Sequence, residues 1–353
     1  MRIVYCTVSV IGSSTANYIQ VSQMIKAFRD EGAEVFAIFK SYKKHYQTSE
    51  SQTKIIYSPA FLSRVAHYLY LIQASLSALR IFKKKNCDVL YTRSITIAFI
   101  CSLFLSKPIL VELHSSFANL LEKVFAKWAT HLGVEYICIT KKLASYIQGH
   151  IPNAVCYVQP DGHSARIVTE KQLTHHYQEW PETYKPKVGY FGSLSPQKGE
   201  CIIKELIQIN NKARFYLFTL NKVAIEYENL IENTALTHAN SLRRMNEMDF
   251  LILTVMPQKK ERDISEFTSP LKLFEYSATG KTVLVSNVPV LHEIASESEV
   301  VFCENNALAF SKAINDLSIH RNKRKTLSKG LLRFASLHTW KQRARNILQI
   351  IVL

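Results

Sequence analysis

Two side chains three positions apart, Lys272 and Glu275, stand in a stretch that reads SPLKLFEYSATGKTVLVS. On a helix they share one face. A lysine there adds a point charge beside a phosphate, and the glutamate can accept two hydrogen bonds from a ribose diol. The spacing of Leu271, Phe274 and Ala278 predicts that helix. Thr268 and Ser269 are capping types, Pro270 suits the first helical position, and Gly280 suits the stop. Thr282–Ser286, β-branched and apolar, reads as a buried strand. Ser269, Pro270, Leu271 and Lys272 then form a helix start whose unpaired N–H groups and partial positive charge favour a phosphate. A capped helix with a solvated Lys272–Glu275 ion pair accounts for the same residues.

Other positions invite the same chemistry. Lys187–Phe191 reads as a strand, Gly192–Gln197 as a loop, and a helix starts near Lys198–Gly199. A lysine in a first turn is disfavoured by the helix dipole, so Lys198 there suggests an anion. The strand PILVEL, Pro108–Leu113, delivers His114 to its C-terminal end. In open α/β sheets ligands gather beyond those ends, where a histidine can donate or accept a hydrogen bond. A loop histidine without a ligand is the plainer reading. Arg93, also at a strand end, is a weaker candidate for meeting an acidic acceptor. The loop IGSS, Ile11–Ser14, follows the first strand and offers Gly12 and Ser13, without a G-x-G-x-x-G pattern.

The elements needed to position these groups alternate along the chain. Arg2–Val10 and Glu34–Phe39 read as strands around a helix at Thr15–Glu31. That rhythm predicts an α/β fold with mostly parallel sheets covered on both faces. Phe61–Lys85 reads as a long helix with an apolar stripe of Leu62, Val65, Leu69, Ile72, Leu76 and Leu79. Two uses of this helix stay open: packing on the sheet, its terminal lysines complementing the dipole, or touching anionic lipid. Pro257–Ser265 reads as a charged, mobile loop. Trp340, Ala344, Ile347 and Ile351 share one face of a last helix.

The string SPLKLFEYSATGKTVLVSNVPVLHEI resembles the nucleotide-sugar signature of retaining glycosyltransferases of the two-Rossmann (GT-B) type, family 4. In that family the last Glu of an E-x7-E motif holds the donor ribose, and Glu275 matches it. The first Glu of the motif falls on Phe267, with Glu266 one residue off register. The family's G-x-L-x-x-x-K-G loop places a lysine on the donor diphosphate, and Lys198 matches; a usual arginine is replaced by Ser193. Glu112 and His114 fit its E-x-H strand end, where the histidine sits over the transferred sugar. Gly12 and Ser13 occupy its small-residue loop facing donor phosphate and acceptor, and Gly192 opens the second such loop. YVQPDGHS resembles the segment that closes the first domain.

The resemblance covers nearly the whole chain, and its second half is the more specific. It implies two Rossmann-like domains facing across a cleft: an acceptor domain over 1–165, a donor domain over 166–336, and a helix over 337–353 crossing back to the first. It implies transfer of a glycosyl, such as a hexosyl, group from a nucleotide-diphosphate sugar to a hydroxyl acceptor with retention. The sugar nucleotide is a co-substrate; no further cofactor or metal is expected. A glycan or lipid-linked glycan of a bacterial envelope polysaccharide is the expected acceptor. A nucleotide-sugar epimerase on the same fold, or a non-catalytic polyanion-binding scaffold, remains an alternative.

The 353 residues suit two domains, and 47% hydrophobic content suits two cores. With 44 Lys+Arg against 28 Asp+Glu, the formal charge of +16 attracts polyanions. No nucleic-acid-binding motif accompanies it, so nucleotides and an anionic membrane surface are the expected partners, and nucleic acid is not. The seven cysteines form no CxxC pair and read as reduced core residues, holding neither disulfide nor metal. The opening RIVYCTVSV reads as a strand rather than a signal peptide. The apolar run Ile95–Leu105, 11 residues, is too short to span a bilayer. A cytoplasmic protein, peripheral on the inner face of the cell membrane, is expected.

Overall fold

The computed structural model describes residues 1–13, 15–46, 48, 50–60, 63–219, 226–257 and 264–352. Ser14, Leu62 and most of the charged loop at 257–265 lie outside the described residues. Contacts divide the chain into two units: Met1–Pro160 with the segment from Trp340 onward, and Asp161–Thr339.

The first unit begins with β1 (Arg2–Val10), α1 (Ala16–Asp30), β2 (Glu34–Ser41) and β3 (Thr53–Tyr57). It continues with α2 (Ser63–Lys85), β4 (Val89–Thr92), α3 (Ile95–Ser102), β5 (Ile109–Leu113) and α4 (Leu120–His131). β6 (Val134–Cys138), α5 (Lys141–His150) and β7 (Cys156–Val158) complete its sheet. All strand pairs are parallel, in the order β3-β2-β1-β4-β5-β6-β7. The chain order reverses between β1 and β4, and the loops after those two strands therefore open where doubly wound sheets bind ligands. Thr15 caps α1 by accepting from the Tyr18 amide at 3.3 Å. The closing helix, Trp340–Val352, packs on α1 with Trp340, Arg343, Ala344 and Ile347 buried.

The second unit runs β8 (Lys187–Phe191), α6 (Glu200–Ile209), β9 (Arg214–Phe218), β10 (Leu230–Thr234), α7 (His238–Met245) and β11 (Phe250–Leu253). Then come α8 (Ile264–Phe267), α9 (Leu271–Ser277), β12 (Thr282–Ser286), α10 (Pro289–Ile294), β13 (Val301–Cys303), α11 (Ala307–Ile319) and α12 (Arg321–Leu337). The parallel order β10-β9-β8-β11-β12-β13 repeats the reversal, here between β8 and β11. Period-two alternation builds a core on each face of this sheet. Leu251, Leu253, Val283 and Val285 pack with Phe274 and Phe334, while Phe250, Ile252 and Leu284 pack with Leu206 and Phe310.

β3, β10 and β13 are edge strands beyond those expected, short or, as in LIENT, largely polar. Three expectations change. The α2 stripe points outward: Val65, Leu69, Ile72 and Leu76 are exposed. The sheet is covered by the opposite side, Ala66, Tyr70, Leu71, Ala74, Ala78 and Phe82, whose small residues let the helix approach closely. Periodicity marks a stripe but does not say which way it faces. Thr268 and Ser269 do not cap α9, as described below. Cys201 on α6 is exposed and Cys156 half-buried, so not all seven cysteines are core residues.

Arg324, in the polar run RNKRKT, is fully buried. Its Nε donates to the His176 carbonyl at 3.1 Å and its Nη2 to that of Gln178 at 2.5 Å. Nη1 donates to the carbonyls of Leu317 at 2.5 Å and Ser318 at 2.9 Å. The guanidinium lies 3.8 Å from the Trp180 ring centre, and burial pushes its pKa down to about 10. Arg324→Ala strands four carbonyls at about 1 kcal/mol each, so urea unfolding is expected to show a loss of about 3 kcal/mol or more. A loss below about 1 kcal/mol would contradict this clamp.

Candidate functional site

In the second unit, β8 ends at Phe191 and the chain turns at Gly192, whose φ is +99°. A side chain is disfavoured there twice. The backbone is left-handed, and an added Cβ would lie 2.8 Å from Lys272 Cε. Lys272 thus crosses directly over this glycine, its Nζ 3.9 Å from the Tyr190 ring centre. A short 3₁₀ turn, Pro196–Lys198, follows, and Lys198 Nζ donates to Ser193 Oγ. Where the resembling family carries arginine, this chain has a hydroxyl that accepts from the lysine. The turn is tied to the end of β11: Thr254 Oγ1 donates to the Lys198 carbonyl at 2.5 Å and the Met256 amide to that of Gln197 at 2.9 Å.

Helix α9 is held against the same strand ends by Tyr276, whose hydroxyl accepts from the Phe191 amide at 3.1 Å. Pro270 is the N-cap, with φ −73° and ψ 111°, and Leu271 and Lys272 open the helix. Ser269 is engaged elsewhere, its Oγ accepting from the Asp161 amide at 3.2 Å. Pro270 in an extended conformation moves the helix start one residue along and leaves no side-chain cap. The first-turn amides of Leu271 and Lys272 have no partner within the helix.

Lys198, Lys272, Gly192 and Glu275 are therefore brought together. Burial pushes the Lys198 ammonium pKa down. Burial, and then the charge of Lys198, pushes that of Lys272 well down, with Glu275 acting in the other direction. Among the described residues neither lysine forms an ion pair. Glu275, buried, accepts from His238 Nε2 through Oε1 at 2.6 Å, while Oε2 has no donor among the described residues. His238 opens α7 and comes from 37 positions upstream, so nothing in the local sequence pattern pointed to it. Phe267, at the first-Glu position of the motif, is buried.

In the first unit, His114 follows β5 and its Nε2 bonds Glu112 Oε1 at 2.5 Å. The two side chains share one face because a strand repeats every two residues. Glu112 is buried beside Arg343 at 3.0 Å and Arg93 at 3.7 Å, and it accepts from the Tyr91 hydroxyl. Burial opposes its charge, but Arg343, His114 and Arg93 hold the carboxyl well below the usual range. A cavity of about 170 Å³ lies here, lined by Asn17, Arg93, Glu112, His114, Ser115 and Glu122 among others. Gly12 and Ser13 are not in its lining. Gly12, φ +72°, lies under Tyr46, and Ser13 Oγ pairs with Thr15 Oγ1 at 2.9 Å. Arg343 was missed although it shares the helical stripe of Trp340, Ala344 and Ile347. Among the described residues no group of histidine, cysteine and carboxylate side chains is arranged to hold a metal.

Residues 200–349 match the family model described as Glycosyl transferase-like. No curated protein matches the chain. Among solved structures it is similar to sucrose-phosphate synthase from Thermosynechococcus elongatus, with a TM-score of 0.74 and 13% identity, covering 99% of this chain and 98% of that one. A glycosyltransferase from Rickettsia africae gives 0.70 and 13%, with 99% and 98% covered. Anabaena HepE, solved with UDP and glucose, gives 0.69 and 14%, with 100% and 99% covered. At these identities the likeness establishes the fold: two parallel-sheet, Rossmann-like α/β domains of the kind found in GT-B glycosyltransferases.

The His238–Glu275 bond can be read by titration. The bond raises the His238 pKa against the opposing effect of burial. A raised folded-state value means the pair stabilises the fold fully below the ordinary histidine value, about 6.5, and less as pH rises through the folded value. NMR titration is expected to place His238 above about 6.5 in the wild type and lower in Glu275→Gln. The difference in Tm between the two proteins should shrink as pH rises. An unchanged His238 titration in the variant would refute the assignment.

Proposed function

We propose that this protein is a retaining glycosyltransferase that moves a sugar, such as a hexose, from a nucleotide-diphosphate sugar to a hydroxyl acceptor. The observation that carries the reading is the pair Lys198 and Lys272, mutually repelling and without a carboxylate ion pair among the described residues, set where the second sheet reverses its strand order. A diphosphate supplies the missing anion. Lys198, Lys272 and the amides at the start of α9, following Ser269 and Pro270, would stabilise the charge that develops as the nucleoside diphosphate departs. Glu275, one turn further, would hold the ribose diol through the oxygen not used by His238. His114, oriented by Glu112, would position sugar and acceptor. Gly192 leaves the space over which Lys272 lies, and Gly12 lies under Tyr46, so the lysines rather than these two backbones would meet the diphosphate. Two lysines and a helix start meet the diphosphate charge, so no metal is assigned to the step.

The family-model match over 200–349 and the fold shared with HepE, solved with UDP, support a nucleotide-sugar donor and make uridine nucleotides the first to test. The acceptor we propose is a glycan or lipid-linked glycan of an envelope polysaccharide, met at the inner face of the cell membrane. The net charge of +16 supports an anionic surface as partner.

Thermal shift with a panel of nucleoside diphosphates and their sugars tests the donor site. One nucleotide class is expected to stabilise the wild type by about 2.7 kcal/mol at 100 times its dissociation constant. Glu275→Ala and Lys272→Met, both folded, are expected to lose most of that shift. Stabilisation by none of the nucleotides would overturn the reading and favour a polyanion-binding scaffold. Product analysis with the donor that binds separates transfer from epimerisation.

A further inference from the structure

The outward surface of α2, α3 and α4 is unlike the rest of the molecule. Nearly half of the large apolar side chains exposed among the described residues lie on these helices or the turn after α3. On α2, Val65 is 61% exposed, Leu69 52%, Ile72 51% and Leu76 47%, with Tyr68 beside them. On α4, Leu120, Leu121, Val124 and Trp128 are exposed, as is Leu132 at its C-cap, and Leu103 and Phe104 lie on the turn that ends α3. α2 and α4 both pack on α3, so the three helices form one layer. A soluble monomer rarely leaves so many large apolar groups together in water.

Charge says what covers this face. α2 has no acidic residue, and one turn beyond Leu76 its exposed surface becomes Arg80, Lys83 and Lys84. Lys107, after the α3 turn, and Lys127, between the apolar residues of α4, are also exposed. A second copy would set these cations against their own kind. A bilayer rich in anionic lipid complements them, takes the apolar groups into its acyl boundary, and suits Trp128 and Tyr68 at the polar border. No helix among the described residues is long and apolar enough to cross a membrane, so contact would be by this face alone.

We infer that the α2–α3–α4 face is a docking surface for an anionic bilayer. The inference rests on the peripheral-membrane part of the proposed function, and it is tested without catalysis. Full-length protein is sedimented with vesicles of phosphatidylcholine, alone or mixed with phosphatidylglycerol. Wild type is expected to bind the mixed vesicles, with Trp128 fluorescence quenched by brominated lipid. Leu69→Gln/Ile72→Gln/Leu76→Gln, at exposed positions, is expected to lose binding about tenfold or more. Lys83→Gln/Lys84→Gln is expected to lose about fivefold per charge and to flatten the salt dependence. Circular dichroism and the nucleotide thermal shift should be unchanged in both, and the latter reads the donor site independently. Absence of binding to the mixed vesicles overturns the proposal. So does equal binding by the apolar variant, or a wild-type dimer in light scattering that this variant converts to monomer.

Discussion

Two ammonium groups, Lys198 and Lys272, held close together with no ion pair among the described residues, impose the constraint around which the second unit is built. Some cations of that unit pair with carboxylates, Lys204 with Glu200 at 2.6 Å and Arg244 with Glu232 and Glu247, and the buried Arg324 is held by carbonyls. Lys198 and Lys272 have no ion pair among the described residues, and burial disfavours the charge of each. A fold selected for stability alone has no reason to keep such a pair. The charge of Glu275 offsets part of that repulsion at Lys272.

Holding the pair requires the whole strand arrangement. The strand order reverses between β8 and β11, where the loops that follow them part. Gly192 turns the chain there in a left-handed conformation that favours glycine, and Lys272 lies over it. Tyr276 ties α9 to Phe191, fixing the helix that carries both Lys272 and Glu275. Thr254 and Met256 tie the Lys198 turn to β11. Each tether joins segments far apart in sequence, so the site appears only once the sheet has formed.

That explains what the sequence disclosed and what it withheld. Lys272 and Glu275 share one helix face as their local spacing predicted, whereas Lys198, expected at a helix start, ends a separate 3₁₀ turn ahead of α6. The parallel α/β plan was legible because fully buried strands are nearly continuous apolar runs. His238 was not legible, since its bond to Glu275 spans 37 positions. Ser269 was assigned to a cap on local grounds, but the Asp161 amide, 108 positions away, takes its hydroxyl. The outward face of α2 was invisible for a different reason. That helix is apolar on two sides, and only the small residues Ala66, Ala74 and Ala78 show which side the sheet accepts.

The first unit inverts the electrostatics of the second. There a single carboxylate, Glu112, is surrounded by Arg343, Arg93, His114 and the Tyr91 hydroxyl. Burying a carboxylate costs several kcal/mol unless partners replace its water, and the partners here come from β4, the residues just beyond β4 and β5, and the closing helix. Arg343 supplies the shortest cationic contact apart from His114, and it also donates to the Pro160 carbonyl at 2.9 Å. Without it, Glu112 would lose its main reason to stay ionised, and a protonated Glu112 would no longer hold the His114 ring by charge. The closing helix is therefore part of the histidine's support. A residue 231 positions along the chain from Glu112 helps fix the orientation of the one imidazole that lines the cavity.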